Sequence, residues 1–306
     1  MLTVAAAMIP VFALILLGHL IRRFQWVDDA FWPPAERLTY YVFFPALLIV
    51  SGSQADLGGE QVWPMALSLF IATLIVALSA IALKPVLGLS DASFTSFYQG
   101  AFRPNTFIGV SIALLMSGHE GVVLMSIAIL AVVPIANLLA VTVMVRWGDG
   151  HAEARTPGKA AMAIARNPLV LACLVGFGMN GLGLSLPSMA TSMLDILGRA
   201  ALPISLLAVG AGLDFRHLAA NSAVASKAAA LKLVALPALT WIIASAQGVH
   251  GVAFQMAVLY ACLSVSASSY VLARQMGGDA PLMAGIITAS QVAAMVTMPL
   301  WIWAAG

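Results

Sequence analysis

The chain is poor in charge. Of its 306 residues only 8% are Asp, Glu, Lys or Arg, against about 25% in an ordinary soluble domain. That is too little charge to cover a water-soluble body of this length, so a soluble enzyme, a nucleic-acid binder and a disordered chain are excluded. Cysteine is scarce too. Cys173 and Cys262 both lie in apolar stretches and read as small buried hydrophobes, giving neither a disulfide framework nor a metal spacing. The histidines (His19, His119, His151, His217 and His250) are scattered and form no metal motif. There is no P-loop and no GxSxG elbow. Gly176-x-Gly178-x-x-Gly181 matches the dinucleotide fingerprint in letters only, because it ends an apolar segment and follows no strand. No cofactor, no metal, no nucleic-acid partner and no enzymatic activity are expected.

Apolar sequence is what the chain has in abundance. It is 62% hydrophobic with a mean hydropathy of +1.00, in long runs rather than alternating ones. A bilayer crossing needs about 20 such residues. Ten candidate spans fit, at about 2–21, 36–54, 62–84, 93–117, 121–146, 166–182, 189–213, 222–246, 252–274 and 281–304. The expected fold is therefore an all-α integral membrane protein of ten transmembrane helices. Thr3 to Ile21 has no basic residue before it and Arg22 and Arg23 after it, so it reads as a retained first helix. The hydrophilic stretch 147–165 reads as a cytoplasmic linker between a first repeat, 1–146, and a second, 166–306.

Of the 14 basic residues, 11 fall after odd-numbered spans: Arg22, Arg23, Arg37, Lys84, Arg146, Arg155, Lys159, Arg166, Arg216, Lys227 and Arg274. The positive-inside rule then places both termini outside, in a multi-pass protein of the cell (inner) membrane. Five spans per half means that the halves face opposite ways. Pro45, Leu48, Gly52 and Asp56 in span 2 recur as Pro203, Leu206, Gly210 and Asp214 in span 7. Met116-Ser117-Gly118-His119 corresponds to Met276-Gly277-Gly278-Asp279, and Ile127 to Ile287. The pattern predicts a 5+5 inverted repeat, the transporter arrangement in which broken helices cross at mid-membrane.

Span 4 holds Arg103, Pro104 and Asn105 at its centre. A charge there costs about 2.5–3.5 kcal/mol at least, so it faces a cavity or a partner. Pro104 cannot donate a backbone hydrogen bond, and Gly109 weakens the helix further, so a break is expected here. The alternative is a kink with Arg103 satisfied by neighbouring carbonyls. An offset of 160 from Asn105 lands on Val265, among Ser264, Ser266, Ser268 and Ser269. Their hydroxyls loosen a helix, or else their size permits close helix packing. Asn137 in span 5 and Gln291 in span 10 fit either a site or an interhelical hydrogen bond. Asp195 and Arg199, at i and i+4, fit an intrahelical ion pair. Arg103 stands out as the charge without a topological role.

Pro104-Asn105-Thr106 followed by Gly109 resembles the Pro-Asn-Thr crossover of the auxin efflux carrier family, which includes the plant PIN carriers. Tyr270-Val271-Leu272-Ala273-Arg274 is similar to that family's ninth-to-tenth helix region, and the basic pair after span 1 with Pro45 fits its bacterial members. The resemblance covers essentially the whole chain. It implies a fold of the bile-acid-symporter and sodium/proton-antiporter type with crossover helices 4 and 9. Helices 1, 2, 6 and 7 would form a scaffold, dimeric in many members, and helices 3–5 and 8–10 a transport domain moving as an elevator. It implies a secondary transporter or facilitator of a small organic anion such as indole-3-acetate, malonate or another carboxylate. A sodium-coupled symporter and a non-transporting sensor are the alternatives. From the polar residues and the resemblance together, the expected substrate-binding set is Arg103, Pro104, Asn105, Thr106, Gly109, Asn137, Ser264, Val265, Ser266, Ser268, Ser269 and Gln291. Two departures from the plant pattern are Ser264, where plant carriers have proline, and the missing long cytoplasmic loop.

Overall fold

A computed structural model describes residues 2–55, 59–148, 167–220 and 222–306. Asp56, Arg155, Lys159, Arg166 and nearly all of the 147–165 linker lie outside the described residues. The described chain is almost wholly helical and has no named strand. Its helices are α1 (Leu2–Arg23), α2 (Trp32–Leu38), α3 (Phe44–Ser53), α4 (Val62–Leu87), α5 (Asp91–Gly100), α6 (Thr106–Trp147) and α7 (Pro168–Gly181). The remainder are α8 (Ser188–Ala211), α9 (Phe215–Ala220), α10 (Ser222–Ala230), α11 (Leu236–Ala246), α12 (Gly251–Ala261), α13 (Ser268–Met276) and α14 (Ala280–Ala305). Five helical stretches are long and apolar enough to cross a membrane: α4, α6, α8, the continuous run Ser222–Ala246, and α14. α7 and α12 are shorter apolar helices.

Local chemistry sets the ends. Ser90, Asn167 and Asp279 cap α5, α7 and α14 through side-chain oxygens, satisfying backbone N–H groups that a helix start leaves free. Asp214 does the same for α9, accepting from the backbone of Arg216 and His217 and from the His217 ring at 2.7 Å. Burial raises the Asp214 pKa, but the hydrogen bonds from His217 and Arg216 outweigh it and hold the carboxyl below its ordinary value. The 42 residues of α6 are two helices joined at a kink, where Ser117 leaves the helical region and Gly118 has φ 57°. The matching turn between α13 and α14 has Gly277 at φ 75°. Two π turns, Thr39–Phe43 and Leu231–Ala235, each precede a proline, Pro45 and Pro237.

Two packing groups are visible. α1 lies against α8, and α3 against α7 and α8. Small residues let these backbones touch. A Cβ on Gly210 would run into the Ile15 carbonyl oxygen and one on Gly18 into that of Leu207, while Gly52 meets Gly176. The other group joins α4, α5, α6, α10, α11, α12 and α14. Arg22 donates to the Ala211 carbonyl, Ser93 to Asp279, and Asp279 N–H to the Ala92 carbonyl. Asn180 donates to the Ser53 and Ala55 carbonyls, His250 N–H to Gln61, and Ser51 pairs with His119.

Three expectations are corrected. Asp195 and Arg199 form no ion pair among the described residues; the three ion pairs are Arg22–Asp29, Lys84–Asp91 and Asp214–His217. Gly109 does not help break span 4. It is helical, its N–H donates to the Asn105 carbonyl at 3.2 Å, and its missing side chain makes room for Leu263. Arg103 is also not alone, because Lys232 lies fully buried in span 8.

Candidate functional site

Two helices are interrupted inside the body. α5 stops at Gly100 and α6 starts at Thr106; α12 stops at Ala261 and α13 starts at Ser268. The two interruptions pair with each other. Pro104 and Val265 form an antiparallel bridge, flanked by Asn105 N–H donating to the Ser264 carbonyl at 2.8 Å and Ser266 N–H donating to the Arg103 carbonyl at 3.3 Å. Backbone freed from two helices is thus satisfied by mutual pairing, which an apolar interior demands.

The first interruption carries its own cause. Pro104 has no N–H to give and its ring clashes with the preceding turn. Asn105 is extended at φ −83°, ψ 90°, and its side chain caps nothing. Arg103 is 7% exposed. Its guanidinium donates to Gln99 Oε1 at 2.6 Å, Asn137 Oδ1 at 2.9 Å and Ser268 Oγ at 3.2 Å. Every one of these acceptors is neutral, and no carboxylate pairs with Arg103 among the described residues. The guanidinium is therefore shielded from water and bonded to three partners, none of which offsets its charge.

The second interruption is produced by its neighbours. Ser290 Oγ accepts from the Val265 N–H at 3.0 Å, and Ser264 Oγ donates to Gln291 Oε1 at 2.7 Å. Both partners stand on α14. Gln291 Nε2 and Ser269 Oγ are buried without a hydrogen-bond partner among the described residues. Ser266 and Ser268 share a hydrogen bond at 2.9 Å on the open side, where Ala267 and Ser268 are exposed.

Most of the expected site residues are brought together. Arg103, Pro104, Asn105, Ser264, Val265, Ser266, Ser268, Asn137 and Gln291 all touch the crossing or a residue that does. Thr106 is half-buried at the start of α6, Gly109 packs on Leu263, and Ser269 is buried behind the opening. The sequence reading missed several groups. Gln99, four residues before Arg103, had a readable signal in that spacing. Ser290, Tyr40 and Phe107 did not. Phe107 stacks on Phe44 at 5.0 Å and lies 6.0 Å from Tyr40, which is itself within electrostatic reach of Arg103. These rings make an aromatic wall beside the polar crossing.

A body of apolar helices, two of them broken and crossed around a buried uncompensated cation, has the construction of a membrane transporter. The chain belongs to the family described as "Membrane transport protein", whose model it matches over residues 3–302. This is the auxin efflux carrier family to which the Pro104-Asn105-Thr106 pattern pointed. It is 26% identical over 291 residues to a Rhizobium meliloti protein named for malonate transport, covering 90% of this chain and 88% of that one. It is 24% identical over 297 residues to an uncharacterized transporter of Methanothermobacter thermautotrophicus, covering 96% and 95%. A rice (Oryza sativa) protein named as auxin efflux carrier component 5c is 32% identical over 130 residues, 40% of this chain and 34% of the rice one.

Proposed function

We propose that the chain is a secondary transporter or facilitator of a small organic anion, with the substrate carboxylate held at the crossing. The observation that carries this reading is Arg103, a buried cation whose hydrogen-bond partners are all neutral, set directly beside the paired interruptions. A buried charge with no counter-charge of its own is a place for an anion to supply one. Gln291 Nε2 and the Ser269 hydroxyl add buried donors that lack partners. The aromatic wall of Tyr40, Phe44 and Phe107 suits the apolar part of an organic anion.

The reading extends to ten crossings in a 5+5 inverted repeat, with helices 3–5 and 8–10 moving as an elevator on a dimeric scaffold of helices 1, 2, 6 and 7. Several contacts support it. Connections after spans 1 and 7, and after 3 and 9, bond to each other; so do those after spans 2, 6 and 8. The scaffold helices pack backbone to backbone through glycine, and both interruptions fall where the offset of 160 puts them. Termini outside the cell membrane follow from the basic residues.

The test is uptake of radiolabelled malonate and indole-3-acetate into proteoliposomes, by the wild type, Arg103→Ala and Asn105→Ala. The wild type is expected to move at least one anion, and both variants to lose more than about 90% of that flux. Normal flux in both variants overturns the site, and binding without flux in the wild type overturns transport.

A further inference from the structure

Lys232 is a second basic side chain inside the helical body, and the anion site does not use it. It stands in the π turn Leu231–Ala235, fully buried. The turn has a local cause. Pro237 offers no N–H to the Leu233 carbonyl, and the Trp301 indole N–H donates there instead, at 2.8 Å. Single π turns inside α-helices are frequent at functional positions.

Lys232 Nζ donates to the Ala261 carbonyl at 2.6 Å. Ala261 is the last residue of α12, the half-helix that runs into the second interruption. The other carbonyls at that end are met locally: Val258 by the Cys262 N–H, Leu259 by the Cys262 thiol and Tyr260 by the Leu263 N–H. Past Leu263 the chain leaves the helix to pair with Asn105, and among the described residues no backbone donor returns to Ala261. Lys232 supplies it from another helix. Among the described residues no carboxylate pairs with Lys232.

A helix C-terminus carries about half a negative charge, and in broken-helix transporters such ends coordinate alkali cations through carbonyl oxygen. An ammonium group asks for the same surroundings. We propose that Lys232 is a tethered cation, filling by covalent attachment the position that a monovalent ion would take at the end of α12. The second interruption is thereby held in place without bound sodium. By the offset of 160 its counterpart is Ala72, buried in α4 and unable to do this. The first interruption has Arg103 instead. Each interruption thus has one cation built into the chain.

The proposal needs only the interruption and not the anion reading. The experiment therefore contains no organic anion, and its failure leaves the Arg103 site untouched. The thermal unfolding midpoint of the purified full chain in detergent is measured in sodium, potassium, methylammonium and choline chloride at equal ionic strength. Wild type is expected to have one midpoint in all four salts. Lys232→Ala is expected to unfold at lower temperature and to regain stability, saturably, with methylammonium or sodium but not with the bulkier choline. Lys232→Met fills the same space without charge; it should be destabilised and should respond to none of them. A saturable, sodium-specific rise in wild type overturns the proposal. So does a Lys232→Met protein as stable as wild type, or a Lys232→Ala protein indifferent to every small cation. If neither variant can be purified folded, the wild-type salt series decides alone: a sodium-specific rise refutes the tethered cation, and identical midpoints uphold it.

Discussion

The two interruptions do the same geometric work by opposite means. The first carries a cause of its own: Pro104 has no N–H to give and its ring clashes with the preceding turn. The second contains no proline or glycine, and its local side-chain-to-backbone bond, Ser266 Oγ accepting from the Ser268 N–H, comes only at the start of α13. It is opened by groups from elsewhere, namely Ser290 on the Val265 N–H, Gln291 on Ser264 and Lys232 on the Ala261 carbonyl. The difference separates what one residue can impose from what a fold must supply. It also divides the labour of charge. The first interruption holds its cation among neutral side chains facing the crossing, and the second has one turned to a helix end.

Five substitutions put this contrast under strain, in falling order of expected effect. Arg103→Ala should abolish flux, and it orphans the buried acceptor on Gln99 at about 1–3 kcal/mol and the half-buried one on Asn137 at less. Uptake and unfolding of the purified protein read both consequences. Arg103→Lys should recover little, since an ammonium lacks the planar fork that reaches three acceptors at once. Ser290→Ala leaves the Val265 N–H without its acceptor and should lower stability by about 1–3 kcal/mol. It should also speed amide exchange at Val265, and unchanged exchange there would mean that the second interruption opens itself. Pro104→Ala removes the internal cause while the pairing across to Val265 stays, so we expect a stability change of about 1 kcal/mol or less and a clear fall in flux. A larger loss of stability than in Ser290→Ala would reverse the contrast. Ser268→Ala removes one exposed, shared hydroxyl and should cost about 0.5 kcal/mol or less, with a modest rise in the transport KM.

What could be read from the sequence follows the same division. Pro104 and Arg103 announce themselves, because a proline and a charge in an apolar run have few uses. The serine cluster was found only through the repeat, and its partner Ser290 lies 25 residues from Val265 with nothing to mark it. Gly109 was misread, since glycine serves equally to weaken a helix and to let Leu263 approach, and sequence does not distinguish the two. Lys232 was passed over although it interrupts an apolar span as plainly as Arg103 does. The ends of most helices were legible from proline, glycine and capping residues. The tight crossing of α1 over α8 through Gly18 and Gly210 was not, because it depends on which faces meet.

The join between the interruptions is made of main chain on both sides. Asn105 and Ser266 give their N–H groups, and Ser264 and Arg103 give their carbonyls. Any residue other than proline at positions 105 and 266 can contribute the same two bonds. Ser290, Gln291 and Lys232 hold the second interruption, but the side chains of Asn105 and Ser266 are released from making this join. They are open to replacement, one at a time, while the frame persists. A frame of this kind lets a lineage change its cargo without having to rebuild the machine that carries it.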